Sequence, residues 1–103
     1  MIFRRRFAEI ISRQLDFFER DYADLIEECD RAERDYDRAD RDESTERYEK
    51  YADLVDTGTE ALADLRDNYA AGLDDEAAEE YEAAFNRAVL KRLRRFATDI
   101  ENT

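Results

Sequence analysis

The sequence contains no histidine, proline or tryptophan, and only two glycines and one cysteine. Without proline and with little glycine, it lacks the residues that usually bound strands and tight turns, whereas Ala, Glu, Arg, Leu and Asp suit long helices. We therefore expect an all-α fold. Because 103 residues suffice for one hydrophobic core but not for two, we expect a single domain over residues 1–103.

The absence of histidine also removes the most common general base and a common metal ligand. Cys29 and Ser12 have no histidine to activate them, and the chain has no glycine-rich phosphate-binding loop. The neighbouring acids Glu27 and Glu28 fall outside the apolar stripes, where solvated charge is favoured over metal ligation. We predict that the protein is not an enzyme and uses no cofactor or metal ion.

The charge balance is strongly acidic, because 29 acidic and 17 basic residues give a net charge of −12. Such a surface repels phosphate groups, so nucleic acid is not expected as a partner. Cys29 lies on an apolar stripe, so we expect it to be a small buried side chain. A single cysteine without an internal partner also fits a reducing compartment. Charges interrupt the apolar residues near the N-terminus, so we expect neither a signal peptide nor a membrane span, and predict a cytoplasmic protein.

The strongest pattern is a stripe of apolar residues spaced alternately three and four apart. This spacing places the residues on one face of a helix and is typical of coiled-coil-like packing. The stripe consists of Ile11, Leu15, Phe18, Tyr22, Leu25, Cys29, Ala32, Tyr36 and Ala39. It predicts a first long helix near residues 3–40.

The phase of this stripe is lost after Ala39. A second register of the same kind follows, formed by Tyr48, Tyr51, Val55, Gly58, Leu62, Leu65, Tyr69 and Gly72. The change predicts a reversal of the chain over residues 40–45, with Asp42 or Ser44 as the N-cap of a second helix near residues 45–71. A reversal at this point lays the two helices antiparallel.

Gly72 predicts the end of the second helix, because glycine readily takes the left-handed conformation at a helix C-terminus, and Asp74 or Asp75 can cap the next helix. A third apolar stripe follows, formed by Ala78, Tyr81, Phe85, Val89, Leu93, Phe96 and Ile100. It predicts a third helix near residues 75–100. The fold expected from the three stripes is an antiparallel three-helix bundle with long coiled-coil-like helices.

Charged residues support these helices. Pairs with an acid four residues before a base, each worth about 0.2–0.5 kcal/mol, are Glu9–Arg13, Asp16–Arg20, Glu27–Arg31, Asp30–Arg34, Asp37–Arg41, Glu43–Arg47 and Glu46–Lys50. The basic run of residues 91–95 complements the dipole at the end of the third helix. With the first and third helices parallel, we expect this run to lie near Glu27, Glu28 and Asp30.

A short motif, Asp56, Thr57 and Gly58, resembles the catalytic signature of aspartic proteases, in which the carboxylate follows a β-strand. The helical pattern on both sides contradicts that chemistry. It places Gly58 on the apolar stripe of the second helix, where the missing side chain allows close approach of a neighbouring helix.

The N-terminal segment carries more apolar residues than its stripe requires. With a turn near residue 42, residue 72 lies beside residue 12, so residues 2–11 are expected to project about 15 Å beyond the other helices. We interpret this projection as a partner-binding segment. Its candidate residues are Ile2, Phe3, Arg4, Arg5, Arg6, Phe7 and Ile10.

The function expected from these features is that of a small acidic helical protein-protein interaction module with no catalytic role, present as a homodimer or bound to another protein. The alternative is a peripheral membrane-surface or regulatory binding protein that uses the basic aromatic N-terminus. No small-molecule substrate is evident from the sequence.

Overall fold

The computed structural model describes residues 6–103, and within this range it is helical and contains no strand. The helices of this range are α1 (Ala8–Asp21), α2 (Ala23–Arg38), α3 (Ser44–Ala70) and α4 (Asp75–Arg92), followed by short 3-10 helices at Arg94–Phe96 and Ile100–Asn102. The all-α prediction is confirmed. The prediction of three long helices is not, because four α-helices are present in this part of the chain.

The helix predicted over residues 3–40 is divided at Tyr22, whose φ of −111° and ψ of 26° depart from helical values. The chain bends there without reversing, since Tyr22 N–H still donates to Phe18 O at 2.8 Å and Ile26 N–H donates to Tyr22 O at 3.0 Å. Neither proline nor glycine lies at the bend. The bend occurs where the packing partner changes, because α1 packs against α4 and α2 packs against α3.

The predicted reversal after the first stripe is confirmed, since a short turn joins α2 to α3. Asp40 closes this turn: its backbone oxygen accepts from Ser44 N–H at 3.0 Å, and its Oδ1 accepts from Glu43 N–H at 3.1 Å. The prediction that Asp42 or Ser44 caps the second helix is wrong, because α3 begins without a side-chain cap. At 27 residues, α3 is about 40 Å long and spans most of the 51 Å long axis of the molecule.

The turn between α3 and α4 differs in one respect from the prediction. No glycine in residues 6–103 has a positive φ, so Gly72 does not take the left-handed conformation expected of it. A right-handed turn forms instead, in which Gly72 N–H donates to Tyr69 O at 3.1 Å. The predicted cap of α4 is confirmed, since the Asp74 side chain accepts from Ala77 N–H at 2.8 Å.

The helix predicted over residues 75–100 ends early, at Arg92, and Leu93 leaves the helical region with φ −130° and ψ 53°. Residues 93–103, which we call the strap, fold back over α3. Phe96 and Ile100, both 2% exposed, enter the core from the strap. The free energy gained by burying these two side chains offsets the loss of the helical hydrogen bonds after Arg92.

The core is formed by side chains from all four helices and the strap. Its members with almost no exposed surface are Leu15, Phe18, Cys29, Leu62, Tyr81, Phe85, Val89, Phe96 and Ile100. Burial raises the pKa of the Cys29 thiol, an effect that the nearby positive charge of Arg95 reduces only in part. Cys29 is therefore a small buried side chain, as predicted.

An aromatic cluster fills the end of the core formed by α1, α3 and α4. The Tyr81 ring centroid lies 5.4 Å from that of Phe7 and 4.7 Å from that of Tyr69. Tyr81 is fully buried, and its hydroxyl donates to Gln14 Oε1 at 2.8 Å. Burial raises the pKa of Tyr81 to about 12.

We expect the stability of the fold to decrease in strongly alkaline solution because of Tyr81. Its pKa of about 12 exceeds the ordinary value of 10.0, so the unfolded chain loses this proton first. The stabilisation is complete below pH 10 and is lost as the pH rises from 10 to 12, with a slope of at most about 1.4 kcal/mol per pH unit. Urea unfolding measured from pH 9 to 12 checks this.

The matched variant is Tyr81→Phe, which keeps the ring and removes the titrating hydroxyl. Its free energy of unfolding should depend less steeply on pH over the same range. An identical slope in both proteins would show that Tyr81 is not the group responsible.

Candidate partner-binding surface

Part of the predicted N-terminal partner segment lies inside the core. Phe7 is only 6% exposed, and its ring packs edge-on against Tyr69 at 6.5 Å and Tyr81 at 5.4 Å. The prediction that Phe7 projects beyond the other helices is wrong. The bend at Tyr22 and the packing of α1 against α4 bring the end of α3 level with Phe7, so this part of α1 has intramolecular neighbours.

The other members of the segment are placed as follows. Ile10 is half-buried and packs against the core, so it too is covered within the chain. Arg6 lies 3.7 Å from Glu80, and its guanidinium lies 5.0 Å from the centroid of the Phe7 ring. Residues Ile2, Phe3, Arg4 and Arg5 lie outside the described residues, and a partner surface there stays a prediction.

Tyr48, the most exposed aromatic side chain of residues 6–103, lies at the opposite end, on the hairpin of α2 and α3, whereas Phe17 and Tyr69, at 38% and 37% exposed, lie elsewhere. We call residues 34–50 the hairpin arm, because α4 ends before this part of the hairpin and leaves it without a third helix. Tyr36 is 39% exposed and Tyr48 53% exposed, and their rings meet edge-on at 5.5 Å. Both residues lie on the predicted apolar stripes, yet no further helix covers them.

A groove of about 680 Å³ runs from the hairpin arm to the strap. It is lined on the hairpin side by Glu33, Tyr48, Tyr51, Ala52, Val55 and Asp56, and on the strap side by Arg94, Arg95, Thr98 and Asp99. The groove thus combines an apolar, aromatic floor with a charged end, where Arg94 and Arg95 lie among the carboxylates Glu33, Asp56 and Asp99. Tyrosine and arginine are the residue types most enriched where proteins bind one another.

Arg95 fixes this end of the groove by joining the strap to both helices of the hairpin. Its guanidinium donates to Asp30 at 2.8 Å, to Glu33 at 2.9 Å and to the Tyr51 hydroxyl at 3.2 Å. Burial alone lowers the pKa of Arg95, but the hydrogen bonds with Asp30, Tyr51 and Glu33 more than offset it, and the pKa is raised. The prediction that the basic run of residues 91–95 lies near Asp30 is confirmed for Arg95.

Arg94 differs from its neighbours in having no such partners. It is exposed, and it makes no ion pair with any residue of the described range. Arg92, by contrast, binds Asp16 and Glu19 of α1. The groove therefore presents one arginine that can meet an acidic group from outside.

Tertiary ion pairs replace some of the pairs expected within single helices. Glu9–Arg13, Glu27–Arg31 and Glu43–Arg47 form as predicted, with nitrogen-oxygen distances of 2.6, 3.3 and 3.2 Å. Asp16 and Asp30 instead bind Arg92 and Arg95 from the other end of the chain. For Asp16, sequence reasoning gave only the pair within its own helix, because spacing along one helix reveals only local pairs. For Asp30, it also placed the basic run of residues 91–95 nearby.

The motif Asp56, Thr57 and Gly58 lies within α3, as the helical pattern around it predicts. Within residues 6–103, there is no group of three or more His, Cys, Asp or Glu side chains that could hold a metal ion. Within the same range, no helix combines the length and the apolar character needed to cross a lipid bilayer.

Sequence reasoning missed the groove because it expected an uncovered part of the bundle only at residues 2–11. Unequal helix lengths did indicate that one end must lack a third helix. The extent of the third apolar stripe put that end at residues 2–11, whereas the early end of α4 at Arg92 puts it at the hairpin arm. No sequence signal marks the early end of α4, because the third apolar stripe continues through Leu93, Phe96 and Ile100.

Removing the Arg95 contacts should destabilise the fold. We expect Arg95→Gln to lower the free energy of unfolding by about 1–2 kcal/mol, since it removes charge-assisted hydrogen bonds from a largely covered guanidinium. Arg94→Gln, the adjacent exposed position, should change it by less than about 0.5 kcal/mol. Urea denaturation of both variants checks the difference, and equal effects would contradict the role assigned to Arg95.

Comparison of the chain with protein-family models, with curated proteins and with solved structures gives no match in any of the three. No relative therefore assigns a role to the groove. The exposed tyrosines of the hairpin arm, the exposed Arg94 at the strap end of the groove and the acidic side chains of the hairpin turn are the features that bear on function.

Proposed function

We propose that the protein is a small acidic helical interaction module that forms a homodimer through the hairpin arm. The observation that carries this proposal is the exposed pair Tyr36 and Tyr48, 39% and 53% exposed, on a part of the hairpin that lacks a third helix. A hairpin of two helices leaves one side of its apolar stripes exposed to water. A second copy of the arm supplies the missing helices.

Charge favours a second copy as the occupant. A two-fold axis at Tyr48 pairs the arms antiparallel, so residue 55 of one copy faces residue 41 of the other. Arg94, at the strap end of each groove, then meets the turn of the other copy, which carries Asp40, Asp42 and Glu43 beside Arg41. The same contact forms twice, as an isologous dimer requires.

The size of the arm indicates a reversible dimer. The paired face, from residue 41 to residue 55, is about 20 Å long at about 1.5 Å per residue and about 20 Å wide across two helices, or about 400 Å² per subunit. This is about half of the roughly 800 Å² per partner that standard stable interfaces bury. We therefore expect a dissociation constant in the micromolar range.

The first test is a change at the centre of the proposed interface. Tyr48→Glu should abolish the dimer, because a carboxylate would be placed next to its own symmetry mate on the two-fold axis. Leu90→Glu is the matched control, since Leu90 on α4 is 52% exposed and lies outside the groove. Sedimentation velocity over a range of concentrations measures both; a wild-type protein that stays monomeric, or a dimer retained by Tyr48→Glu, refutes the proposal.

The second test is a charge exchange across the interface. Arg94→Glu and Asp42→Arg should each weaken the dimer about tenfold, because each places like charges opposite one another. The double variant restores opposite charges between the two copies and should recover the wild-type dissociation constant. Additive weakening in the double variant would exclude this pairing of the groove with the turn.

A further inference from the structure

The apolar stripe of α4 continues beyond the point at which the helix ends. Phe85 and Val89 lie on the buried face of α4, and helical continuation would place Leu93, Phe96 and Ile100 on that same face. The strap contains neither proline nor glycine. Nothing in its local sequence therefore requires the helix to end at Arg92.

Contacts with α3 hold the strap in its folded-back position. Phe96 lies directly against Gly58, where a Cβ atom would stand 3.0 Å or less from three atoms of the Phe96 ring. The Thr59 hydroxyl lies 3.3 Å from the backbone oxygen of Phe96 and donates to it. The break in the helix is thus imposed by tertiary contacts.

Arg66 holds the far end of the strap. Its side chain is buried, with 4% of the residue exposed. The guanidinium donates to the backbone oxygens of Ile100 and Thr103, each at 2.7 Å, and to Asn86 Oδ1 at 3.0 Å. The bonds to Ile100 and Thr103 exist only while the strap runs back along α3.

If α4 continued beyond Arg92 as a helix, it would lie along the groove. Arg95 contacts Glu33 and Tyr51, so the end of α4 already lies at the base of the hairpin arm. Residues 93–100 as a helix would extend about 12 Å further, over the groove floor that includes Tyr48. The face carrying Phe96 and Ile100 would then meet the uncovered side of the hairpin.

We propose that the strap is a two-state element, either folded back onto Gly58 and Arg66 or continuing α4 along the hairpin arm. The first state leaves the groove open, and the second fills it with the protein's own helix. If the arm forms the homodimer interface, a link that rests on the proposed function, the extended state excludes the second copy. The strap then controls dimerisation.

The test uses the full chain with Gly58→Ala, whose added methyl group displaces the Phe96 ring. Gly72→Ala is the control, because the nearest atom to its Cβ would be 3.6 Å away. Backbone NMR of dilute samples measures the Cα chemical shifts of residues 93–100. We expect helical shifts in Gly58→Ala and wild-type shifts in Gly72→Ala; an unstructured strap, or an unchanged folded-back strap, would overturn the proposal.

A second variant covers the case in which Gly58→Ala fails to fold. Arg66→Met removes the hydrogen bonds to Ile100 and Thr103 while keeping an unbranched side chain, and it should give the same helical shifts. The NMR result stands whether or not the protein dimerises, so it separates this inference from the proposed function. At higher concentrations, the extended variants should dimerise at least tenfold more weakly than wild type, and an unchanged dissociation constant would refute the control of dimerisation.

Discussion

The close contact between Phe96 and Gly58 is the constraint on which the architecture depends. Because α3 has no side chain at position 58, an aromatic ring can lie directly against its backbone. That ring is 2% exposed and also packs edge-on against Phe18 at 5.5 Å. The contact draws the strap across the hairpin, ends α4 at Arg92 and leaves the hairpin arm without a third helix.

Electrostatic contacts reinforce this arrangement over long distances in the sequence. Arg92 and Arg95, which follow one another closely in the chain, bind acids of α1 and α2 respectively. The end of the chain thereby ties together the two helices that meet at the bend of Tyr22. Basic side chains are outnumbered in this chain, whose net charge is −12. Two of them nevertheless form ion pairs that join separate helices.

The features that the sequence predicted are those decided by local chemistry. The reversal after the first apolar stripe, the extent of α3 and the Asp74 cap each depend on residues close together in the chain. The all-helical fold follows in the same way from composition and spacing. The buried position of Cys29 follows from the apolar stripe on which it lies.

The features that the sequence did not predict depend on distant parts of the chain. The Leu93 break needs Gly58 and Arg66, and the Tyr22 bend accompanies a change of packing partner from α4 to α3. Phe7 is covered because the end of α3 reaches its level, which no local pattern reveals. For the candidate surface, Tyr36 and Tyr48 were recognised as stripe residues, but their exposure follows from where α4 stops.

The burial of Cys29 has a consequence for any assembly of this chain. Its thiol is inaccessible and its pKa is raised by burial, so little reactive thiolate is present, and an oxidant can reach it only when the surrounding helices separate. Since it is the sole cysteine, folded copies have no accessible thiol through which they could form a disulfide bond with one another. Contacts between folded copies therefore stay free of disulfide cross-links even under oxidising conditions.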